Sequence, residues 1–216
     1  MIEIKSFTFN AFSENTYVLY DESKECVVID PGCSHEAEEL ELTQFISDNH
    51  LKPIRLLNTH CHIDHILGNK FVADTYGLSL EANENEEDNV KRADTYAAMF
   101  GLGSLDTISI SKFLKEGDTI GFGHSKLEVL FTPGHSPGHV IFYDPIQKIM
   151  IGGDVLFRES IGRTDLPGGS YHTLIQSIQN KLFTLDDDIV VYPGHGPETT
   201  IGYEKQYNPF LQEALS

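Results

Sequence analysis

The sequence predicts a mixed α/β (α+β) sandwich: two β-sheets packed face to face, helices outside, one domain spanning residues 1–216. Three observations carry this. Strand-length apolar or alternating runs fill each half of the chain and are followed by helical segments. The 216 residues show no linker, repeat or low-complexity tract and are enough for one sizeable core. Side chains that bind metals stand directly after several of the predicted strands.

In order, "IEIKSFTF", "NTYVLYD" and "CVVIDPG" read as strands, the last stopped by Pro-Gly. A helix is expected from Ser34, its N-cap, to His50, with Leu40, Phe45 and Ile46 inward. "IRLLN" is a short strand, and one helix from His65 to Tyr76 closes at Gly77. "LSLEA" follows as a strand. In "NENEEDNVKRADTYAAMFGLG", Val90, Ala93, Ala97 and Phe100 recur at helical spacing, with acids in the first turn. That charge run reads as a solvated face. Met99 and Phe100 fit a core better than a substrate wall, the second reading staying open. Strands then recur at "TIGF", "KLEVLFT", "HVIFYD", "KIMIGGD" and "DIVVYPG", with helices over Tyr171–Lys181 and near the C-terminus.

Composition narrows the function classes. Against 33 acidic residues there are 15 basic ones, a formal charge of -18. With no Lys/Arg cluster, this surface repels phosphate backbones and argues against nucleic-acid partners. No apolar run reaches the roughly 18 residues of a membrane span, and the N-terminus lacks a signal-peptide pattern. Cys26, Cys33 and Cys61 make no disulfide framework, so the expected compartment is the cytoplasm and the expected partner a small-molecule substrate. No oligomeric state is read from the pattern.

The densest chemistry lies in "NTHCHIDHILGN", where His60, His62, Asp64 and His65 crowd six positions. In an extended segment, alternate residues point the same way, so His60 and His62 can address one ion while Cys61 points away. Asp64 and His65 follow where the chain turns into a helix and can address a second ion. More candidate ligands follow strands: His135 after "LFTPG", Asp154 after "KIMIGG" and His195 after "DIVVYPG". Neutral imidazole and carboxylate suit zinc, and also iron or manganese.

This pattern resembles the metallo-β-lactamase superfamily, with HxHxDH followed by single His, Asp and His ligands between Asp30 and His195. The resemblance implies a four-layer αββα metallo-β-lactamase sandwich. It also implies two divalent metal ions, most simply zinc, with His60, His62 and His135 on the first and Asp64, His65 and His195 on the second. Asp154 would bridge them. Such a pair lowers the pKa of a shared water and supplies hydroxide near neutral pH. Asp64 would hold that nucleophile in its attacking orientation.

The stretches "MFGL", "GRTDLPGGSY" and "YPGHGPETTIGYEKQYNPFL" resemble single-domain glyoxalase-II-like (hydroxyacylglutathione hydrolase-like) enzymes, implying hydrolysis of a thioester such as S-lactoylglutathione. Arg163 would bind a substrate carboxylate or thiol carrier; an internal pair with Asp165 is an equal reading. Tyr171 and Tyr192 are weaker pocket candidates. Asp30 could orient a ligating histidine, and His139 could support the site without ligating. His35, His50, His124 and His172 read as surface or turn residues.

One departure is visible. Larger glyoxalase II enzymes carry a basic C-terminal helical domain for glutathione, whereas here Lys205 is the sole basic residue after His195. The runner-up is an iron persulfide dioxygenase of the same superfamily, in which His62, His135 and Asp154 would form the facial triad. A non-catalytic metal-binding module ranks third, because all seven ligand positions are filled.

Overall fold

In the computed structural model, which describes residues 1–212, the first sheet holds six strands in sequence order. They are β1 (Glu3–Phe9), β2 (Glu14–Tyr20), β3 (Glu25–Ile29), β4 (Lys52–Leu57), β5 (Leu80–Ala82) and β6 (Ile110–Phe113). Strands β1 to β3 are antiparallel neighbours, and β3 to β6 run parallel. The later strands are β7 (Thr119–Phe122), β8 (Ser125–Phe131), β9 (Val140–Asp144), β10 (Ile149–Gly153), β11 (Leu156–Phe157), β12 (Ser160–Ile161), β13 (Val190–Pro193) and β14 (Thr199–Thr200). The second sheet runs β14-β13-β10-β9-β8-β7, while β11 and β12 pair on their own.

The strand period of two builds the layers. In β3, Val27 and Ile29 point between the sheets, and Cys26 and Val28 point to the outer side. In β9, Val140 and Phe142 meet the first sheet, whereas Ile141 and Tyr143 face away. Helix α1 (Glu36–Asp48) covers the outer face of the first sheet through Leu42 and Ile46. Beyond α2 (Ile63–Ile66) and α3 (Asn69–Tyr76), Val72 joins that layer. Helix α4 (Glu87–Met99) packs Val90, Ala93 and Ala97 on Cys61, Ile63 and Ile66. Helices α5 (Tyr171–Asn180) and α6 (Ile201–Tyr207) cover the second sheet through Leu174, Ile178 and Ile201, and α7 (Pro209–Gln212) adds Leu211. Helix, sheet, sheet, helix is the expected order of layers.

Three details of the helices differ from the sequence expectation, and strands β6, β11, β12 and β14 are absent from it. His35, not Ser34, sits at the α1 N-cap, and Ser34 instead donates to Glu38 Oε2. Leu40 is exposed and Leu42 takes the inward position. The helix expected over His65–Tyr76 is broken into α2 and α3. At the break, Gly68 N–H donates to Pro31 O, and a Cβ at Gly68 would lie 2.3 Å from Cys33 Sγ. The chain must pass the β3–α1 loop too closely for a straight helix. Among the described residues, no helix is long and apolar enough to cross a membrane.

Candidate metal centre

Four strand ends converge. The segments after β4, β8, β10 and β13 deliver His60 to His65, His135, Asp154 and His195 respectively. Backbone bonds tie these ends together: Val140 N–H donates to Thr59 O, Gly194 N–H to Gly153 O, and Asn15 N–H to Gly194 O. Gly194 is required by contact, because a Cβ there would lie 2.2 Å from Asp154 Oδ1.

The side chains form two clusters. His60 Nε2 lies 3.2 Å and His62 Nδ1 2.8 Å from His135 Nε2. Asp64 Oδ2 lies 3.1 Å from His195 Nε2 and 3.7 Å from His65 Nε2. Both trios are compact enough for their donor atoms to reach one ion. Asp154 sits between them: Oδ1 is 3.5 Å from His65 Nε2, and Oδ2 is 3.5 Å from His135 Nε2 and 3.6 Å from His195 Nε2.

Hydrogen bonds fix which nitrogen each ring presents. A carbonyl or carboxylate can only accept, so His135 Nδ1–H donates to Arg163 O (2.8 Å) and His65 Nδ1–H to Asp30 Oδ2 (3.1 Å). His195 Nδ1 likewise donates toward the carbonyls of Phe12 and Ser13. The Thr59 hydroxyl donates to Asp30 Oδ2, which leaves its oxygen to accept from His60 Nδ1–H. Four rings therefore turn Nε2, the nitrogen a metal would take, toward the centre. Asp30 is the hub, also accepting from Thr59 N–H and Asn58 Nδ2. It holds this place at φ 50°, a left-handed conformation tolerated by Asp but uncommon outside turns and functional sites.

The electrostatics match that donor set. Burial, reinforced by the neighbouring histidines, holds His60 well below the ordinary imidazole value and brings His62 down to about 3. Both are neutral ligands at physiological pH. Burial would raise the Asp154 and Asp64 carboxyls, but His65 and the other imidazoles outweigh it and keep both ionised. For His65, burial lowers the pKa, yet Asp154 and Asp64 reverse the direction and pull it well up. The same negative field attracts a bound cation. Two buried atoms at the centre, His65 Nε2 and Asp154 Oδ1, have no hydrogen-bond partner among the described residues. Orphaned donor atoms facing one another in this way are costly unless an ion satisfies them. The donor set fits divalent metal.

Two supporting residues stand behind the ligands. His139 is fully buried; its Nε2 accepts from Asp154 N–H (3.0 Å), so it positions Asp154 and has no lone pair left for an ion. Glu86 belongs to the acidic run that reads as a solvated face, yet its carboxylate is completely buried. It accepts from Cys61 N–H (2.8 Å), Asn89 Nδ2 (2.8 Å), Gly138 N–H (2.7 Å) and Ser136 Oγ–H (2.5 Å). It thereby joins the loop carrying His60 and His62 to the loop carrying His135. Its neighbours Glu84, Glu87 and Asp88 give the same sequence signal from the surface.

His62, Asp64, His135, Asp154 and His195 line a cavity of about 590 Å³, together with Arg163. The Arg163 guanidinium is held by Asp165 through Nε (2.7 Å) and the second terminal nitrogen (2.8 Å). Tyr192 packs into the inter-sheet core and Tyr171 donates toward Phe210 O, so neither lines the cavity. Met99 and Phe100 do line it and are largely exposed, so the core role favoured in the sequence does not hold for them. His35, His50, His124 and His172 are exposed, as expected.

Residues 10–195 match the family model described as the metallo-beta-lactamase superfamily. The hydroxyacylglutathione hydrolase GloC of Haemophilus influenzae is 39% identical over 212 residues, covering 97% of this chain and 98% of that protein. A solved structure described as the BLEG-1 B3 metallo-beta-lactamase superposes with a TM-score of 0.88 at 35% identity, covering 97% of this chain and 99% of the other. TTHA1623 in a di-iron-bound form superposes at 0.85, also at 35% identity, covering 96% and 100%. The chain belongs to the metallo-beta-lactamase superfamily.

Proposed function

We propose that this metallo-hydrolase of the superfamily is a two-metal thioesterase acting on a small acyl thioester such as S-lactoylglutathione. The observation that carries the reading is the divided carboxylate of Asp154, one oxygen 3.5 Å from His65 and the other 3.5 Å from His135. A carboxylate so placed would have one oxygen available to an ion at each trio. In this reading His60, His62 and His135 hold one ion, and Asp64, His65 and His195 hold the other.

When bound, the ions supply a water deprotonated near neutral pH and polarise the scissile carbonyl. The chain's own groups do the rest. Asp64, ionised and lining the cavity, accepts a hydrogen bond from the attacking water and fixes its direction. Asp30, through His65 and Thr59, keeps the rings from rotating. Glu86 keeps the two histidine loops in register. Arg163 reaches a substrate carboxylate only by exchanging it for Asp165. No serine or cysteine nucleophile is required.

Zinc suits these imidazole-rich donors, with iron or manganese the alternatives. The GloC relative favours the thioester, and the di-iron neighbour is the reason to test iron. We also read residues 1–216 as one domain working in the cytoplasm, where the buried free thiols of Cys26, Cys33 and Cys61 suit a reducing medium. The test is hydrolysis of S-D-lactoylglutathione by metal-loaded protein, followed as loss of thioester with an oxygen electrode in parallel. Chelator-sensitive turnover without oxygen uptake is expected. Oxygen uptake on a persulfide with iron bound, and no thioester loss, would replace this reading with the dioxygenase. Turnover of a β-lactam in preference to any thioester would move it to the amide chemistry named for the BLEG-1 neighbour.

A further inference from the structure

Beyond the candidate metal ligands, the cavity changes character. Phe12 comes from the β1–β2 turn, Tyr96, Met99 and Phe100 from the end of α4, and Phe157 from β11, with Leu166 from the loop after Arg163. Four separate segments thus line the cavity with apolar side chains. Phe12 and Phe100 meet edge to face, ring centroids 5.3 Å apart, which ties the turn to the helix end. Met99 is 74% exposed and Phe100 55% exposed, although the same helix buries Val90, Ala93 and Ala97. Large apolar groups left in water beside a reaction centre mark a surface completed by a ligand.

Charge narrows the ligand further. Among the described residues lining the cavity, the ionisable groups outside the metal set are Arg163, already paired with Asp165, and the phenol of Tyr96. Asn89, which also lines the cavity, has its amide nitrogen committed to Glu86 and Ser136. The chain as a whole carries -18. A carrier with several carboxylates or phosphates finds no free cation here beyond the metal site.

Resting on the thioesterase reading, we propose that the substrate class is a thioester bearing an uncharged apolar arm, aromatic or alkyl, which packs between Phe12, Met99 and Phe100. S-lactoylglutathione, which lacks such an arm, is then turned over more slowly than thioesters that carry one. A pocket contact with an apolar group discriminates by roughly 10–200-fold per group filled. The benzyl thioester of lactic acid, or the phenylacetyl thioester of glutathione, is expected to exceed S-D-lactoylglutathione in kcat/KM by about 10-fold or more. In the double variant Met99→Ser/Phe100→Ser, that preference falls toward 1, chiefly through KM.

A ligand that cannot be hydrolysed separates the pocket from the chemistry. 4-Phenyl-2-butanone, titrated into metal-loaded protein and followed by NMR, is expected to perturb Phe12, Met99 and Phe100 and to bind at least about 5-fold more weakly to the double variant. If the ketone binds there but no thioester is turned over, the hydrolase reading falls while the apolar site stands. Preference for S-D-lactoylglutathione, or ketone binding unchanged by the double variant, overturns the proposal. So does a concentration-dependent dimer abolished by the same variant, which would make the wall a contact between copies of the chain.

Discussion

His60, His62 and His135 are three imidazoles; Asp64, His65 and His195 include a carboxylate. In the first trio His60 is held through Thr59 and His135 by Arg163 O, and its loops are joined by Glu86. The second includes the ionised carboxylate of Asp64 and is held by Asp30 and the carbonyls of Phe12 and Ser13. An all-nitrogen set and a mixed nitrogen and oxygen set do not rank metals identically, since imidazole suits zinc and carboxylate also accommodates harder ions. In the proposed two-metal reading, the two adjacent sites would be tuned separately by what stands behind them, while one carboxylate, Asp154, would couple them.

The strongest way to break the comparison is to remove the coupling group. Asp154→Ala should lose metal from both trios. Supporting residues around metals typically cost about 10–100-fold when changed, so loss of a shared ligand should exceed about 100-fold in activity. Metal content after gel filtration and the hydrolysis rate check this. One fully loaded trio in the variant would assign Asp154 to the other alone.

Asp30→Asn comes next. The amide can no longer accept from Thr59, Asn58 and His65 together. Affinity should fall by about 10–100-fold at both trios, because Asp30 orients His65 directly and His60 through Thr59. Chelator competition at each site reads the effect.

Glu86→Gln sharpens the contrast. Each Glu86 oxygen accepts two donors, so an amide nitrogen in either place faces N–H or O–H groups it cannot accept. Affinity at the all-imidazole trio should weaken by about 10-fold while the mixed trio changes little. Equal weakening at both would make Glu86 a general fold support.

The clustering of candidate ligands is legible in the sequence because crowding leaves a local mark: four ligand-type residues in six positions, then single ones after strands. The supports leave none. Glu86 differs from Glu84, Glu87 and Asp88 in burial alone, and no local pattern records burial of one acid in an acidic run. Met99 and Phe100 share their helix with truly buried residues, and periodicity does not tell whether a helix end overhangs a cavity. The break at Gly68 arises from Pro31 and Cys33, a distant stretch of the chain. β11, β12 and β14 have two residues each, too few for any period to appear.

The smallest effect is a control on stability alone. Glu81 on β5 bonds Arg55 on β4 at 2.7 and 2.8 Å and lies 3.0 Å from Lys112 on β6. Burial raises its pKa, but the two cations outweigh it and lower the folded value. A depressed folded pKa means stability present above the unfolded value of about 4.3 and lost as pH falls through the folded value. Glu81→Gln should therefore cost about 1–3 kcal/mol at pH 7, shrinking on the acid side, with metal content unchanged. Denaturant melts from pH 7 to 3 decide it; altered metal content would mean that the β4–β5 pairing tunes the trio it carries.

Whether two ions act together on one substrate is decided by titrating metal-free protein with Zn²⁺ while thioester hydrolysis is followed. The rate should rise until about two equivalents are bound and return to background with chelator. Full activity at one equivalent, or none at any loading, would contradict the proposed two-metal reading.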